Sequence, residues 1–228
     1  MTDYPKRPIL SFVIRKGRSS TAQKLAMENH WQQYGLECPD HIEPVDFFKH
    51  FDAAQPIVLE IGFGMGHSLL EQAIQSPHQQ FVGIEVHPPG IGKLLNGIAE
   101  HNLKNIRIFK SNAIEVLQRA IPESSLSCVQ LFFPDPWHKT RHHKRRLVQT
   151  DFINLIAQKL KSNGVFHLAT DWAEYAEHMR SVFEHNPYFK PSNQSELAEL
   201  IKNRPTTKFE KRGIRLGHVI SDLAYSRL

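Results

Sequence analysis

Short apolar runs recur along the chain from Ile57 onwards, and each has the length of a buried β-strand. The predicted strands are Ile57–Ile61, Phe81–Val86, Ile106–Phe109, Cys128–Phe133 and Val165–Ala169, with helix-like stretches between them at Ser68–Gln75, Gly92–Asn102, Ala113–Ala120 and Asp151–Lys161. Because a parallel pair of strands needs a long crossover, this alternation predicts βαβ units and an α/β fold with a parallel sheet.

The flanking segments are more polar. The pattern predicts a helix over Thr21–Tyr34, another over Ala173–Asn186 and a final strand within His218–Tyr225. The proline-marked stretch Pro187–Pro205 is predicted as a loop with a short helix over Glu196–Lys202, and the residues after it as a polar loop. We expect residues 1–50 to form a partly mobile arm with one helix, and residues 51–228 to form the main domain.

Composition adds a preference for an anionic partner. The 228 residues are 40% hydrophobic and carry a formal net charge of +5, which favours RNA, DNA or an acidic membrane face, although a basic protein without such a partner remains open. Two distant cysteines argue against a disulfide framework or a zinc ribbon and suit a cytoplasmic protein. No signal peptide or run of about 20 apolar residues is evident, so we expect no membrane partner.

A glycine-rich turn follows the first predicted strand, with Gly62, Gly64 and Gly66 in G-x-G-x-G spacing. Dinucleotide sites favour G-x-G-x-x-G, which leaves room for a pyrophosphate. Here His67 takes the place of the third dinucleotide glycine, and Glu60 precedes the turn. A carboxylate there suits the cationic methionine end of S-adenosylmethionine and gives nothing to a pyrophosphate.

Glu85 ends the next predicted strand, and Asn112 follows the one after it. Glu85 stands where a carboxylate binds the ribose hydroxyls of a cofactor, and Asn112 has an amide suited to an adenine edge. Two alternatives stay open: Glu60 and Glu85 as solvated strand-end carboxylates, and Asn112 as an ordinary turn residue.

The segment Pro134-Asp135-Pro136-Trp137 ends the fourth predicted strand. Each proline restricts itself and the residue before it, so Asp135 is held stiffly at the edge where α/β sheets bind ligands. Trp137 offers a ring on which a nucleobase stacks, or else is a core residue of a rigid turn.

A basic run follows at once, from Lys139 to Arg146. Its position beside the predicted active loop favours a phosphate-binding surface over an idle solvated face. The predicted RNA contacts are Arg141, His142, His143, Lys144, Arg145 and Arg146. A metal site is not expected, because no carboxylate or cysteine stands at ligand spacing from these histidines.

Together these motifs resemble the bacterial tRNA (guanine-N7)-methyltransferase family. The resemblance runs from Ser11 to the end of the chain. It rests on Phe12-Val13-x-Arg15-x-Gly17-Arg18, the glycine turn, Pro134-Asp135-Pro136-Trp137 with its basic tail, Thr170-Asp171-Trp172 and Thr207-Lys208-Phe209-Glu210-x-Arg212-Gly213. It implies a Rossmann-like class I methyltransferase fold with a mostly parallel seven-stranded sheet. It also implies S-adenosylmethionine as donor without a metal, and guanine 46 in the variable loop of tRNA as target.

The resemblance also assigns roles to residues. Cofactor contacts would come from Glu60, the glycine turn, Glu85, Asn112 and Asp135, and substrate contacts from Lys139, Asp171, Thr207, Lys208, Phe209 and Glu210. Asn112 departs from the aspartate of many relatives, but either side chain accepts a bond from the adenine amino group. The alternatives are a methyltransferase for another nucleic acid or a protein, a nicotinamide oxidoreductase, and a non-catalytic RNA-binding module. A monomer and a homodimer both remain open.

Overall fold

The computed structural model describes residues 11–12, 18–51 and 55–228, so Val13, Arg15 and Gly17 of the resemblance lie outside it. The described strands are β1 Gly35–Leu36, β2 Ile57–Ile61, β3 Gln80–Ile84, β4 Ile106–Phe109, β5 Leu126–Phe132, β6 Leu160–Thr170, β7 Phe189–Pro191 and β8 Ser221–Arg227. The helices are α1 Thr21–Tyr34, α2 His67–Gln75, α3 Pro88–Glu100, α4 Ala113–Arg119, α5 Thr150–Lys159, α6 Ala173–Glu184, α7 Gln194–Asn203 and α8 Lys208–Arg215.

The strands form one mixed sheet in the order β1-β4-β3-β2-β5-β6-β8-β7. Strands β1 to β6 pair in parallel, and β8 runs antiparallel to both β6 and β7. The predicted α/β class and mostly parallel sheet are confirmed. The resemblance implied seven strands, and the described residues form eight. Six of these were predicted from the apolar pattern, and the two short edge strands β1 and β7, of two and three residues, were not.

Apolar cores lie on both faces of the sheet. Every residue of β2 and β3 is buried, as expected for parallel strands covered by helices on both sides. One core includes Leu59, Phe166 and Tyr175, and the other includes Leu94 and Ala26 from α1. Helix α1 thus packs on α3, while the boundary predicted at residue 50 stays a prediction.

Two polar segments differ from expectation. The predicted short helix is confirmed as the longer α7, and the segment predicted as a polar loop forms α8. Helix α8 begins with a capping box, in which the Thr207 side chain accepts from the Glu210 N–H and the Glu210 carboxylate accepts from the Thr207 N–H. No helix in the described ranges is long and apolar enough to cross a membrane.

The strand order places a ligand crevice. From β2 the chain builds outwards through β3 and β4 on one side, then returns to add β5 and β6 on the other. The crevice of such a sheet opens between the two halves, at the carboxyl ends of the central strands. In this chain that point is the shared end of β2 and β5.

Candidate active site

A cavity of about 770 Å³ lies at this crevice, within the size range of small-molecule pockets. The glycine turn forms one wall. Gly62 and Gly64 have φ of +72° and +57°, and a Cβ added at either would meet no other atom within 4 Å. The bare backbone of the turn therefore faces open space, as needed for close approach of a ligand.

Glu60 lies at the inner wall of the cavity, where its residue is 3% exposed. Its Oε2 atom is buried and has no hydrogen-bond partner among the described residues. Burial, and secondly the nearby Glu85 carboxylate, raise the pKa of Glu60 to about 8. Burying an ionised carboxyl group is costly unless a positive charge lies beside it. The site is therefore suited to a ligand that brings a cation to Glu60.

Glu85 lies directly after β3, also buried, and it faces the same cavity. Its Oε2 accepts from the Gly64 N–H at 2.8 Å, and its Oε1 accepts from the Val86 and His87 N–H groups at 2.6 and 3.0 Å. The carboxylate thus fixes the glycine turn to the end of β3. The alternative of two solvated carboxylates is wrong, because neither Glu60 nor Glu85 is solvated.

Asn112 caps a helix and also lines the cavity. Its Oδ1 caps α4 by accepting from the Ile114 N–H at 3.0 Å, and the residue also lines the cavity. Capping orients the side chain, so that the amide is presented at the end of β4 in a fixed position.

Asp135 also lines the cavity and is exposed to solvent. The loop that carries it is strained on both sides, because Phe133 and Trp137 have φ of +52° and +49°. The Phe133 N–H donates to the Ala169 carbonyl at 2.8 Å, which holds the first strained residue against β6. This strain accompanies the two prolines and was not readable from the sequence.

One face of the Trp137 ring is covered by another side chain and is not free to stack on a base. The Arg145 guanidinium lies 3.8 Å from its ring centroid, and its Nε1 donates to the Ser11 carbonyl at 3.2 Å. Arg145 also contacts the Phe12 carbonyl at 3.4 Å. These contacts dock residues 11–12 at the cavity and indicate that the ring serves mainly to hold the loop.

The basic run forms a 3-10 helix over Thr140–Arg145, and its side chains do not share one environment. Arg141 and Lys144 are exposed, as is Lys139 just before the helix. Partial desolvation, and then the surrounding cations such as Arg141, lower the pKa of His142. His143 is half-buried and lies 3.4 Å from Glu174.

Arg146 corrects the sequence-based expectation of six RNA contacts. It is 3% exposed, and its guanidinium donates to the Pro136 carbonyl at 2.9 Å and to Glu174 at 3.1 Å. It also lies 5.0 Å from the Tyr175 ring centroid. The sequence shows how many cations the run contains but not their direction, and this one points inwards to hold the Asp135 loop.

We therefore expect Arg146→Met to destabilise the protein while Arg141→Met does not. Removing the buried guanidinium leaves the Pro136 carbonyl without its donor and should lower the free energy of unfolding by about 2–3 kcal/mol. The exposed Arg141 should cost less than about 0.5 kcal/mol. Urea unfolding of both variants measures the difference. Equal stabilities would contradict the structural role of Arg146 and favour the predicted RNA contact.

The predicted substrate residues are not all directed at the cavity. Thr207 lines it, whereas Lys139 and Asp171 lie outside its lining, and Asp171 contacts His218 at 3.3 Å. The Glu210 carboxylate is occupied by the capping box and by Arg204. The side chains of Lys208 and Phe209 lie outside the described part of the chain.

The cavity also has walls that the sequence-based site omitted. Ser11 and Phe12 line it from the amino-terminal side, and Lys211, Arg212 and Arg215 line it from α8. The capping box Thr207-x-x-Glu210 is the sequence signal that would have predicted a helix here. On that helix the three cations are spaced by one, three and four residues.

A family model described as "Putative methyltransferase" matches residues 54–223. Curated relatives named tRNA (guanine-N(7)-)-methyltransferase extend the likeness to nearly the whole chain. That of Shewanella pealeana is 51% identical over 97% of this chain and 93% of its own length, and that of Ectopseudomonas mendocina is 49% identical over 97% and 93%. The chain belongs to the tRNA (guanine-N7)-methyltransferase family.

Solved structures place this family member in a wider fold class. The 16S rRNA methyltransferase KamB aligns with a TM-score of 0.54 at 14% identity, covering 81% of this chain and 94% of that chain. The aminoglycoside resistance methyltransferase NpmB1 aligns with a TM-score of 0.53, also at 14% identity, covering 82% and 95%. At this identity the likeness concerns the fold alone, which is that of class I methyltransferases.

Proposed function

We propose that this chain transfers a methyl group from S-adenosylmethionine to N7 of a guanine in tRNA, at position 46 of the variable loop. One observation supports the proposal beyond family membership: a single cavity is lined both by a buried carboxyl group with an unpaired oxygen and by an exposed carboxylate that a cationic segment follows. The first suits a cationic donor, and the second suits a base attached to a polyanion.

The residues present fit the donor. The unpartnered Glu60 oxygen would accept from the methionine ammonium, and the open backbone at Gly62 and Gly64 leaves room for the chain beside it. Glu85 would accept from a ribose hydroxyl, since a carboxylate has about four acceptor positions and backbone N–H groups occupy three of them. Asn112 would contact the adenine edge. Bound there, S-adenosylmethionine supplies a methyl group that is electrophilic because it is attached to a sulfonium.

The chain's own task in the reaction is alignment. Guanine N7 has a lone pair and no proton at neutral pH, so no residue is needed as a general base. The enzyme must hold N7 in line at an approach of about 3–3.5 Å, which by itself supplies several kcal/mol. Asp135 would accept hydrogen bonds from the guanine N1–H and N2–H groups, and its charge would offset the positive charge that develops on the base.

The exposed cations beside Asp135 provide the phosphate contacts of this proposal. A triple variant with Lys139, Arg141 and Lys144 changed to Gln should weaken tRNA binding and reduce the slope of log Kd against log salt by about 2–3, because each lost phosphate contact accounts for about 0.7–0.9. Measurement of Kd at several salt concentrations tests this.

A matched control changes three equally exposed lysines at the opposite, amino-terminal edge of the sheet: Lys104, Lys161 and Lys190. The control has the same net charge as the first triple variant and should keep the wild-type slope within about 0.5. If the salt slope of tRNA binding decreased equally in both triple variants, net charge rather than a local surface would govern binding.

Incubation of the protein with unmodified tRNA and methyl-labelled S-adenosylmethionine tests the function itself. The label should appear as 7-methylguanosine, and replacing guanosine 46 by adenosine should remove it. Label on another atom would refute the proposed reaction, and label on N7 of a different guanosine would refute only the position.

A further inference from the structure

Arg204 is a buried cation that the proposed chemistry does not use. It lies at the end of α7 with a side chain 3% exposed. Its guanidinium forms two paired contacts: Nε and Nη2 donate to Asp222 at 2.9 and 3.0 Å, and Nη1 and Nη2 donate to Glu210 at 2.6 and 3.0 Å. Arg204 therefore joins strand β8 to helix α8.

A second strand, β6, also contacts the Asp222 carboxylate. His167 on β6 contacts Asp222 Oδ1 at 2.9 Å and is 1% exposed. Burial alone would raise the pKa of Asp222, but hydrogen bonds from His167 and Arg204 hold it below its usual value. The anchor for Arg204 is thus a carboxylate that stays ionised and is fixed by two strands of the sheet.

The same guanidinium contacts the strand end that leads to Asp135. Its central carbon lies 5.5 Å from the Phe132 ring centroid and 5.8 Å from that of Phe133. Phe133 has the strained backbone described above. One planar group therefore contacts helix α8 through Glu210 and lies close to the rings at the end of β5.

Among the described side chains, polar contacts hold helix α8 in place. Among its described side chains and the residue after it, the apolar Ile214 and Leu216 are 57% and 60% exposed. Gly213 packs against Asp171, where an added Cβ would lie 2.9 Å from Oδ2. Buried ion pairs often add little to stability and serve instead to select one arrangement.

We propose that Arg204 is a positioning residue, which docks α8 beside the end of β5 so that Lys211, Arg212 and Arg215 face the cavity next to Asp135. This inference rests on the proposed function. Through those cations the docked helix binds the phosphates beside the target nucleotide. Glu210 is the residue of α8 to which Arg204 binds.

Arg204→Lys tests the proposal, because a lysine keeps the charge but cannot form two paired contacts at once. Below the melting temperature, kcat/KM for tRNA should fall about tenfold to a hundredfold, the range expected for misplaced groups. The salt slope of tRNA binding should decrease, whereas the Kd for S-adenosylhomocysteine should stay within about twofold. Arg227→Lys is the matched control, since Arg227 bonds to Ser124 and Leu160 at the far end of the sheet.

A second variant guards against poor folding of the first. Asp222→Asn keeps the shape of a side chain that contacts Arg204 and does not line the cavity, and it should reproduce the same pattern in weaker form. The double variant should be no worse than Arg204→Lys alone, because both changes disrupt one network. Variants that melt earlier but keep wild-type kcat, KM and salt slope would overturn the proposal. Wild-type enzyme that failed to label N7 would instead refute the proposed function.

Discussion

Replacement of Asp135 by Ala should lower kcat by about 100- to 1000-fold while leaving stability nearly unchanged. The carboxylate is exposed at the cavity, so its removal leaves no buried group unpaired and should cost less than about 0.5 kcal/mol of stability. The loss in kcat follows because the charge is directed at a base that becomes positive during transfer, and such electrostatic groups contribute on this scale.

The measurement is steady-state methylation of tRNA, with the melting temperature and S-adenosylhomocysteine affinity recorded for each variant. Asp40→Ala is a control for loss of one exposed aspartate outside the cavity. An Asp135→Ala enzyme with near-normal kcat would show that the rigid loop does not carry the reaction, and a large loss of stability would assign Asp135 to the fold.

Substrate changes can identify the atoms that Asp135 contacts. Inosine in place of the target guanosine lacks the N2 amino group but keeps N7 and N1–H. Wild-type enzyme should lose activity on this tRNA, whereas Asp135→Ala should lose nothing further, because the partner of that amino group is already absent. Independent, additive losses would contradict the proposed contact.

The regular part of the fold was predictable because buried parallel strands are apolar throughout. Strands β2 and β4 were predicted with their exact bounds, and the end of β5 was placed within one residue. Strand ends determine the site, so the meeting of the glycine turn, Glu85 and Asp135 at one cavity followed from topology.

The polar part was less predictable, since its structure depends on contacts between distant residues. Helix α8 has no buried apolar stripe among its described side chains, and only its capping box marks it. The inward direction of Arg146 depends on Glu174 and Tyr175, which lie on α6. The positive φ of Phe133 likewise reflects its bond to β6 rather than any local preference.

Glu60→Gln is the other substitution with a large expected effect. It should lower the affinity for the donor and raise the stability of the ligand-free protein. The donor's ammonium should lose a charged partner, which lowers affinity by about 10- to 100-fold, or roughly 1.5–3 kcal/mol. Without ligand, however, the variant should be more stable than wild type at alkaline pH, because the amide removes a carboxylate that is buried and has an unpaired oxygen.

The pH dependence follows from the sign of the shift. Glu60 has a pKa of about 8 in the folded protein, raised by burial and by Glu85 from the ordinary value of 4.5. Between these values the unfolded chain has lost the proton and the folded chain still holds it. Stability from this group is therefore complete below about pH 4.5 and declines as pH rises to about 8, by up to about 1.4 kcal/mol per pH unit.

Thermal unfolding of both proteins from pH 5 to pH 9 measures this difference, in which titrations common to both cancel. The melting temperature of Glu60→Gln relative to wild type should rise up to about pH 8 and then level off. Calorimetry near pH 7 in buffers of different ionisation enthalpy should further show proton release when wild type binds S-adenosylhomocysteine, because the ammonium displaces the Glu60 proton, and no such release for the variant. Parallel pH curves together with unchanged affinity would mean that Glu60 is not the residue that receives the donor's positive charge.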